Sequence, residues 1–494
     1  MGAIIKDTIK TSLINYVGIV IGALNLLWLQ AAFLSEEEIG VIRYLLDVVA
    51  LLMPFFMLGT NGVATRYFHH FKKDNQAKQT LFTFLFSIPL VSTLIFLIVY
   101  LIFSTQFNGF FEAKSQLVES YYGWILPLIL IQLFITLIES VLIANRNLVV
   151  PYFLKNICLR LVMSALVLMY HYDVIGFDLL INSYFFSHLI QLLILGAYLK
   201  RIVGFTLKPS FDFKKYPIFK EITIYCLFLI LGASGSMLVS KLDTVMTEHV
   251  LRDLAQVGVY SVAFFIAVLI ETPQRALMQI IFPMMSELNT LKDNPKIQEL
   301  YQKSAVNLFI LGSLLFLLVW YNIKDLYGLI PNGETYQQGI YVVFFIGLAK
   351  VFDMFLGPTS QVLAASKYYR YNFYLLPFLG VLTILTNLYF IPIYNITGTA
   401  IATSITILVY SILRYVMVLR LMKMNSLSAS HLGVVGSILI VVLFFELVPL
   451  EFSNELLAII VKSSILTLLF LCLNYLFKSS EELSKIINKY LLRR

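Results

Sequence analysis

The chain has 494 residues, of which 59% are hydrophobic and 13% are charged, and its formal net charge is +8. Average soluble domains carry about 25% charged residues, so this composition excludes an ordinary soluble domain. The basic excess does not indicate a nucleic-acid partner, because the Lys and Arg residues are concentrated in alternate loops between apolar segments. The three cysteines fall inside apolar segments, so no disulfide framework or metal motif is predicted.

In chain order, fourteen mostly apolar stretches follow one another with short loops between them. They are residues 12–34, 40–64, 79–103, 121–143, 151–171, 176–199, 222–245, 256–280, 303–322, 340–364, 371–391, 397–420, 431–448 and 455–477. A helix of about 20 apolar residues crosses the hydrocarbon core of a bilayer and satisfies its own backbone there. The sequence therefore predicts an all-α, polytopic membrane protein with fourteen transmembrane helices.

The basic residues give the orientation. With both termini placed on one side, 27 Lys and Arg residues fall in the loops and termini of that side and 4 in the loops of the other. Loops rich in Lys and Arg stay in the cytoplasm. Both termini are therefore predicted to be cytoplasmic, which requires an even number of spans.

Three short matches relate the two halves of the chain. Residues 38–41 (EIGV) and 256–259 (QVGV) open the second and eighth spans, and Lys-Asp-Asn follows each of these spans. Gly176 and Gly398 stand at the starts of the sixth and twelfth spans, and the three offsets are 218, 219 and 222 residues. This nearly constant register indicates an internal repeat of six spans, which is typical of transporters that rock about a central site.

The repeat predicts two pseudo-symmetric six-helix lobes followed by two C-terminal helices. Basic amphipathic stretches at residues 285–303 and 481–494 are expected to rest on anionic membrane lipids. The predicted domains are an N-terminal lobe at 1–200, a cytoplasmic linker at 201–221, a C-terminal lobe at 222–424, and the last two spans with an amphipathic tail at 425–494.

Ionisable residues inside spans are costly in hydrocarbon and mark candidate sites. Basic groups in equivalent helices would hold an anionic head group through charge-assisted hydrogen bonds. The alternative is structural: charges spaced i, i+4 neutralise each other on one helix, Arg160 and Arg414 snorkel or bridge helices, and Glu446 and Lys462 make an inter-helix contact. The paired candidates are Arg43 with Asp47, Glu271 with Arg275, and Lys350 with Asp353, and the seventh span ends with Lys241 and Asp243.

Four segments carry a resemblance to a known family. Residues 35–44 read SEEEIGVIRY, and residues 58–68 read LGTNGVATRYF, with small residues before Arg66. Residues 240–244 read SKLDT, and residues 398–404 read GTAIATS. With its predicted spans and lobes, the chain resembles the O-antigen and polysaccharide repeat-unit flippases of the multidrug/oligosaccharidyl-lipid/polysaccharide (MOP) exporter superfamily.

The resemblance implies a flippase of the cell inner membrane that translocates a polyprenyl-diphosphate-linked glycan by alternating access, for O-antigen, capsule or exopolysaccharide synthesis. It implies a V-shaped cavity between the lobes, lined mainly by spans one, two, seven and eight. It leaves the coupling ion open between H⁺ and Na⁺, and it suggests a polysaccharide polymerase and a chain-length regulator as partners. The residues that it assigns to diphosphate or sugar are Arg43, Arg66, Lys241, Asp243 and Arg275.

Three alternatives stay open. A lipid II-type peptidoglycan-precursor flippase has a similar layout. A cation-coupled multidrug exporter of the same superfamily is expected to use an acid in the first span, which carries none. A polymerase or ligase needs a large outward catalytic loop, whereas the outward loops 104–120 and 322–339 are short, and no nucleotide-binding Gly-rich loop is visible. The sequence therefore favours a transporter without a cofactor or metal site over an enzyme.

The charge bias predicts that residues 35–38 and 108–119 face outward and that residues 72–78 face the cytoplasm. In a cysteine-free background, a cysteine replacing Glu37 should react with an impermeant thiol reagent added outside, and one replacing Asp74 should not. Labelling of Asp74→Cys from outside would contradict the fourteen-span arrangement.

Overall fold

The computed structural model describes residues 2–71, 74–102, 116–145, 147–204, 209–216, 218–291, 293–448, 450 and 452–490. These residues form helices and connecting turns, with no strand among them. Eleven of the described helices are long and apolar enough to cross a membrane, or twelve when one bent pair counts as a single span. The all-α, multi-span fold class is therefore confirmed, and the exact number of fourteen spans stays a prediction.

Each predicted span nevertheless overlaps a helix. The helical run Arg370–Met417 covers two predicted spans, 371–391 and 397–420. Between them Asn395 has non-helical dihedral angles (φ 52°, ψ −134°), which divide the run into two helices. The helix Ile218–Leu251 covers the predicted seventh span. The helical segments therefore lie where the hydropathy pattern placed them.

The chain divides into two compact units, residues 1–258 and 259–494. The lobe boundaries inferred from the repeat differ from this division and stay a prediction. The helices of the first unit are α1 (Gly2–Ala23, continued by the π-helical stretch Leu24–Gln30), α2 (Glu36–Met57), α3 (Thr60–Phe71), α4 (Asn75–Ile102), α5 (Ile125–Ala144), α6 (Leu159–His171, preceded by the π-helical stretch Leu154–Cys158), α7 (Phe177–Val203), α8 (Ile218–Leu251) and the first turn of α9 (Leu254–Leu269).

The second unit is built around its longest uninterrupted helix, α11 (Asn294–Leu329). Phe309 and Leu317 of this helix pack in one apolar core with Val441 and Phe470. The last two spans are therefore part of the core of this unit. Its other helices are α10 (Thr272–Thr290), α12 (Ile340–Phe355), α13 (Thr359–Ala365), α14 (Arg370–Met417), α15 (Ser430–Leu447), α16 (Glu455–Leu476) and α17 (Glu481–Tyr490).

The predicted span 40–64 is wrong as a single helix, because the chain breaks between α2 and α3. Leu58 and Gly59 have positive φ values of 46° and 76°. A left-handed conformation ends a helix and favours glycine. A Cβ at Gly59 would also lie 2.8 Å from the backbone oxygen of Cys226 in α8. The break starts a new helix, α3, which carries Arg66.

Two predicted spans of the second half, 256–280 and 340–364, are also interrupted. Helices α9 and α10 meet at an angle of 54°, and Pro273 stands in the first turn of α10. Helix α12 ends before Gly357, whose φ is 75°, and Pro358 follows. Proline lacks the amide donor that a continuous helix needs and disfavours helical geometry at the preceding residue. Both interruptions lie beside predicted site residues.

The acidic loop before α2 has a structural role. Ser35 and Glu38 form a capping box, in which Ser35 Oγ accepts from the amide of Glu38 (3.2 Å) and Glu38 Oε2 accepts from the amide of Ser35 (2.8 Å). Such a box satisfies amides that the first helical turn leaves unpaired. The acidic motif therefore fixes the residue at which α2 begins.

Two glycines at helix starts make the same close approach in opposite directions. A Cβ built on Gly40 of α2 would overlap the carbonyl oxygen of Leu254, and one built on Gly258 of α9 would overlap the carbonyl oxygen of Glu36. The two contacts are related by the 218-residue offset of the sequence repeat. A reciprocal contact of this kind is the mark of a two-fold relationship. It supports the internal repeat at these helix starts.

Replacing Gly40 or Gly258 by Ala should therefore destabilise the protein by about 1–3 kcal/mol, because the added methyl must displace backbone. Thermal unfolding of the detergent-purified protein measures this change. Gly196→Ala in α7 is the matched control, since a Cβ there meets nothing within 4 Å. Equal stability of all three variants would show that the contact is not close.

Candidate functional site

The predicted pair of Glu271 and Arg275 is formed in the second unit. Arg275 Nε donates to Glu271 Oε1 across 3.1 Å, and Lys350 Nζ of α12 contacts the other carboxylate oxygen. Glu271 and Arg275, spaced i, i+4 at the start of α10, therefore do neutralise each other as the sequence suggested. Lys350 adds a second cation, so the carboxylate of Glu271 is compensated from two helices.

Asp353 of α12 is the centre of a second network. Arg414 Nη2 donates to its Oδ1 (2.7 Å), Gln274 Nε2 donates to its Oδ2 (2.8 Å), and the Ser411 hydroxyl also contacts Oδ1. Arg414 is only 8% exposed, and its guanidinium also stacks on Tyr410 with its Cζ 3.9 Å from the ring centroid. Arg414 therefore bridges α14 to α12, which is one of the two roles expected from the sequence.

The two networks face one cavity of about 350 Å³. Its wall includes Glu271, Arg275, Asp353 and Arg414 together with residues 359–361 of α13. Residues from four helices therefore supply charged and neutral polar groups to one small space. The charged members of the wall were all singled out from the sequence, and Pro358 indicated a kink, but the sequence did not predict the separate helix α13 that follows the break at Gly357.

In the first unit, Asp47 pairs with Lys241 and not with Arg43, the partner that its i, i+4 spacing suggested. Lys241 Nζ of α8 donates to Asp47 Oδ1 across 2.7 Å, and the side chains of Asp47 and Lys241 are 15% and 37% exposed. The proposed pairing of Arg43 with Asp47 is therefore wrong. Their i, i+4 spacing permits a bond on α2, but the longer-range partner on α8 takes the carboxylate.

Arg43 has no carboxylate within salt-bridge distance in the part of the chain that the structure describes. Its Nε is buried and makes no hydrogen bond there. The half-buried side chain of Arg43 is therefore a cation whose charge no described acidic group offsets.

Arg160 belongs to a polar cluster between α6 and α1. One of its guanidinium nitrogens donates to the carbonyl of Gly18, and its own carbonyl accepts from Asn25 Nδ2 (3.0 Å). A Cβ at Gly22 would overlap the guanidinium, so the glycines leave the space that it fills. The spacing Gly18-x-x-x-Gly22 is the sequence signal for such close packing in a membrane.

Arg66 lies on α3, immediately after the break at Gly59. Its side chain is exposed and its Cζ lies 4.6 Å from the ring centroid of Tyr225 and 5.3 Å from that of Tyr67. No salt bridge of Arg66 is found among the described residues. The two aromatic rings hold the guanidinium in place while leaving its charge available.

Two further carboxylates lie on α8. Asp243, a predicted site residue, is buried at 2% exposure, and Glu248 is buried at 3%. The Oε1 atom of Glu248 has no hydrogen-bond partner among the described residues. The described part of the chain contains no group of three or more His, Cys, Asp or Glu side chains arranged to hold a metal ion.

The charges of the last two spans contact α11 instead of each other. Lys462 Nζ donates to Asp325 Oδ2 (2.7 Å), and the Tyr321 hydroxyl donates to Glu446 Oε1 (3.4 Å). Asn322 of the same helix donates to the Ser463 hydroxyl (3.2 Å). The inter-helix role of Glu446 and Lys462 is confirmed, with α11 as the partner of both.

Comparison with known proteins decides the family. The sequence profile described as "Polysaccharide biosynthesis protein" matches residues 4–289, which is more than half of the chain. The chain belongs to the polysaccharide biosynthesis protein family. No curated protein sequence matches this family member.

Solved structures similar to this polysaccharide biosynthesis family member share its fold. The lipid II flippase MurJ in an inward closed conformation superposes with a TM-score of 0.73 at 16% identity, over 98% of this chain and 100% of MurJ. An inward-facing multidrug resistance MATE transporter of the MOP superfamily gives 0.61 at 14% identity, over 81% and 93%. A Vibrio cholerae MATE transporter gives 0.56 at 15% identity, over 85% and 98%. The family member therefore has the fold of MOP superfamily transporters.

The Asp47–Lys241 contact predicts the outcome of a charge exchange in this polysaccharide biosynthesis family member. Asp47→Lys or Lys241→Asp alone should destabilise the protein by about 1–2 kcal/mol, a value reduced for the partial exposure of Lys241. The double exchange should recover most of that loss in thermal unfolding. The exchange of Arg43 and Asp47 should recover none. Equal recovery by both double variants would show that Lys241 is not the partner.

Proposed function

We propose that the protein is a flippase that translocates polyprenyl-diphosphate-linked oligosaccharide repeat units across the inner membrane by alternating access, in the synthesis of O-antigen, capsule or exopolysaccharide. The observation that carries the proposal is the uncompensated charge of Arg43. Its neighbours Asp47 and Lys241 neutralise each other, so Arg43 remains available for an external anion. The family match to polysaccharide biosynthesis supports a glycan-linked substrate.

An arginine inside a membrane segment without an acidic partner is costly, by about 2.5–3.5 kcal/mol near the bilayer centre. Arg160 is a second such charge in the first unit, because it too forms no salt bridge with a described carboxylate. A diphosphate offers several negatively charged oxygens, and guanidinium groups bind phosphate oxygens bidentately. The anionic head group is thus the counter-charge that this part of the first unit lacks.

Arg66 provides a second point of contact on the proposed route. The predicted topology places α3 at the cytoplasmic side, where a lipid-linked precursor arrives. The rings of Tyr67 and Tyr225 orient its guanidinium, and Tyr67 itself donates to Glu221 Oε1 (2.7 Å). A preoriented guanidinium loses less side-chain freedom when it binds an anion. Arg66 is therefore suited to the first capture of the diphosphate.

The two alternatives within the superfamily differ in how well they fit these charges. A cation-coupled multidrug exporter is expected to use an acid in the first span, which carries none, and Asp47, Glu271 and Asp353 are each paired with a cation. A lipid II flippase has the same diphosphate chemistry and fits equally well at Arg43. The choice between O-antigen-type and lipid II-type glycans therefore depends on which cell-surface polymer is lost on deletion.

The remaining parts of the proposal follow from the family resemblance. The proposed protein is a transporter without enzymatic activity. It takes up substrate from the cytoplasmic leaflet, moves it with an H⁺ or Na⁺ gradient, and delivers it to a polymerase and a chain-length regulator on the outer side. The close glycine contact of residues 36–40 with 254–258 would have to open in such a cycle.

Arg43→Ala and Arg66→Ala should each lower the rate of lipid-linked glycan translocation by about tenfold or more, because each removes charge-assisted hydrogen bonds to the diphosphate. Arg43→Lys should retain part of the activity if a point charge suffices. Translocation is measured in inverted vesicles or by restoration of surface polysaccharide in a deletion strain.

Arg201→Ala at the exposed end of α7 is the matched control, since it removes the same charge from the surface. All variants should insert and accumulate to equal levels on immunoblots. Transport by Arg43→Ala at the rate of Arg201→Ala would remove Arg43 from the proposed substrate path.

A further inference from the structure

The cavity of the second unit presents polar atoms that lack partners. Thr359 Oγ1, Gln361 Oε1 and Arg414 Nε are each buried and make no hydrogen bond among the described residues. All three belong to side chains that line the cavity of about 350 Å³. Buried polar atoms in folded proteins are nearly always hydrogen-bonded to protein, water or a ligand, so three unpartnered atoms around one cavity make it a candidate site for a polar group.

The charges around the cavity exclude a cationic ligand. Glu271 is held by Lys350 and Arg275, and Asp353 is held by Arg414. The Thr359 hydroxyl can donate and accept a hydrogen bond, the Gln361 amide oxygen can only accept, and the Arg414 Nε–H can only donate. This mixture complements a group that both donates and accepts hydrogen bonds.

We infer that this cavity is a sugar-binding subsite that takes a neutral pyranose ring of the lipid-linked glycan. Sugar hydroxyls donate and accept at once, which suits the three unpartnered atoms of Thr359, Gln361 and Arg414. A volume of about 350 Å³ is near the lower end for small-molecule sites, so it accommodates a small part of a glycan and not a whole oligosaccharide. The inference rests on the proposed glycolipid substrate.

The backbone shows why these residues reach the cavity. Gly357 adopts a φ of 75°, and a Cβ there would lie 2.5 Å from the Cβ of Ala305 on α11. Only glycine fits this left-handed position at so close an approach. The chain therefore changes direction after α12, and α13 places Thr359 and Gln361 in the cavity wall. Thr359 Oγ1 and Gln361 Oε1 have no hydrogen-bond partner there among the described residues.

The test compares two lipids on full-length protein in nanodiscs. One is the lipid-linked glycan extracted from cells that lack the protein, and the other is sugar-free polyprenyl diphosphate. Thr359→Val and Gln361→Leu should each weaken binding of the glycan-bearing lipid about fivefold, the effect of one neutral hydrogen bond. Binding of polyprenyl diphosphate should be unchanged, and Thr359→Ser should bind like the unaltered protein.

Thr386→Val and Gln337→Leu are the matched controls. The Thr386 hydroxyl bonds to carbonyls of its own helix and Gln337 is exposed, and neither lines the cavity. Equal affinity of the cavity variants and the controls for the glycan-bearing lipid would overturn the sugar subsite while leaving the flippase proposal intact. Failure of the unaltered protein to bind either lipid would overturn both proposals.

Discussion

A charge in the hydrocarbon of a membrane is costly unless an opposite charge or a polar cavity compensates it, and most intramembrane charges of this protein meet that condition by pairing. Asp47 and Lys241 join α2 to α8, and Asp353 and Arg414 join α12 to α14. These pairs are distant in sequence, so they stabilise helix packing and also neutralise charge. Arg43 and Arg160 are exceptions, since neither forms a salt bridge with a described carboxylate.

The two units differ in whether their charges have an oppositely charged partner, and this gives each unit a different kind of polar surface. The first unit carries three arginines, Arg43, Arg66 and Arg160, that form no salt bridge among the described residues, and aromatic rings contact Arg66. The cavity of the second unit has its carboxylates neutralised and retains unpartnered neutral groups such as Gln361 Oε1. In the proposed function the diphosphate binds at the first surface, and in the further inference a sugar ring binds at the second.

Hydropathy predicted the positions of the helices well, because a membrane-spanning helix needs about 20 mostly apolar residues. The orientation inferred from the charge bias stays a prediction. Neither pattern predicted the break at Leu58 and Gly59, since a left-handed backbone leaves no trace in hydropathy. Partner choice was also beyond them: Asp47 bonds Lys241, 194 residues away, although Arg43 stands four residues away on the same helix. Spacing shows which bonds are possible, and tertiary packing decides which one forms.

The most direct test of the account is the distribution of lipid-linked glycan in cells from which the gene has been deleted. The account predicts that polyprenyl-diphosphate-linked repeat units accumulate in the cytoplasmic leaflet, that surface polysaccharide is lost, and that re-expression of the protein restores both. Normal surface polysaccharide with increased sensitivity to cationic dyes would contradict it and favour a drug exporter. Cell lysis with accumulated peptidoglycan precursor would instead assign the protein to lipid II.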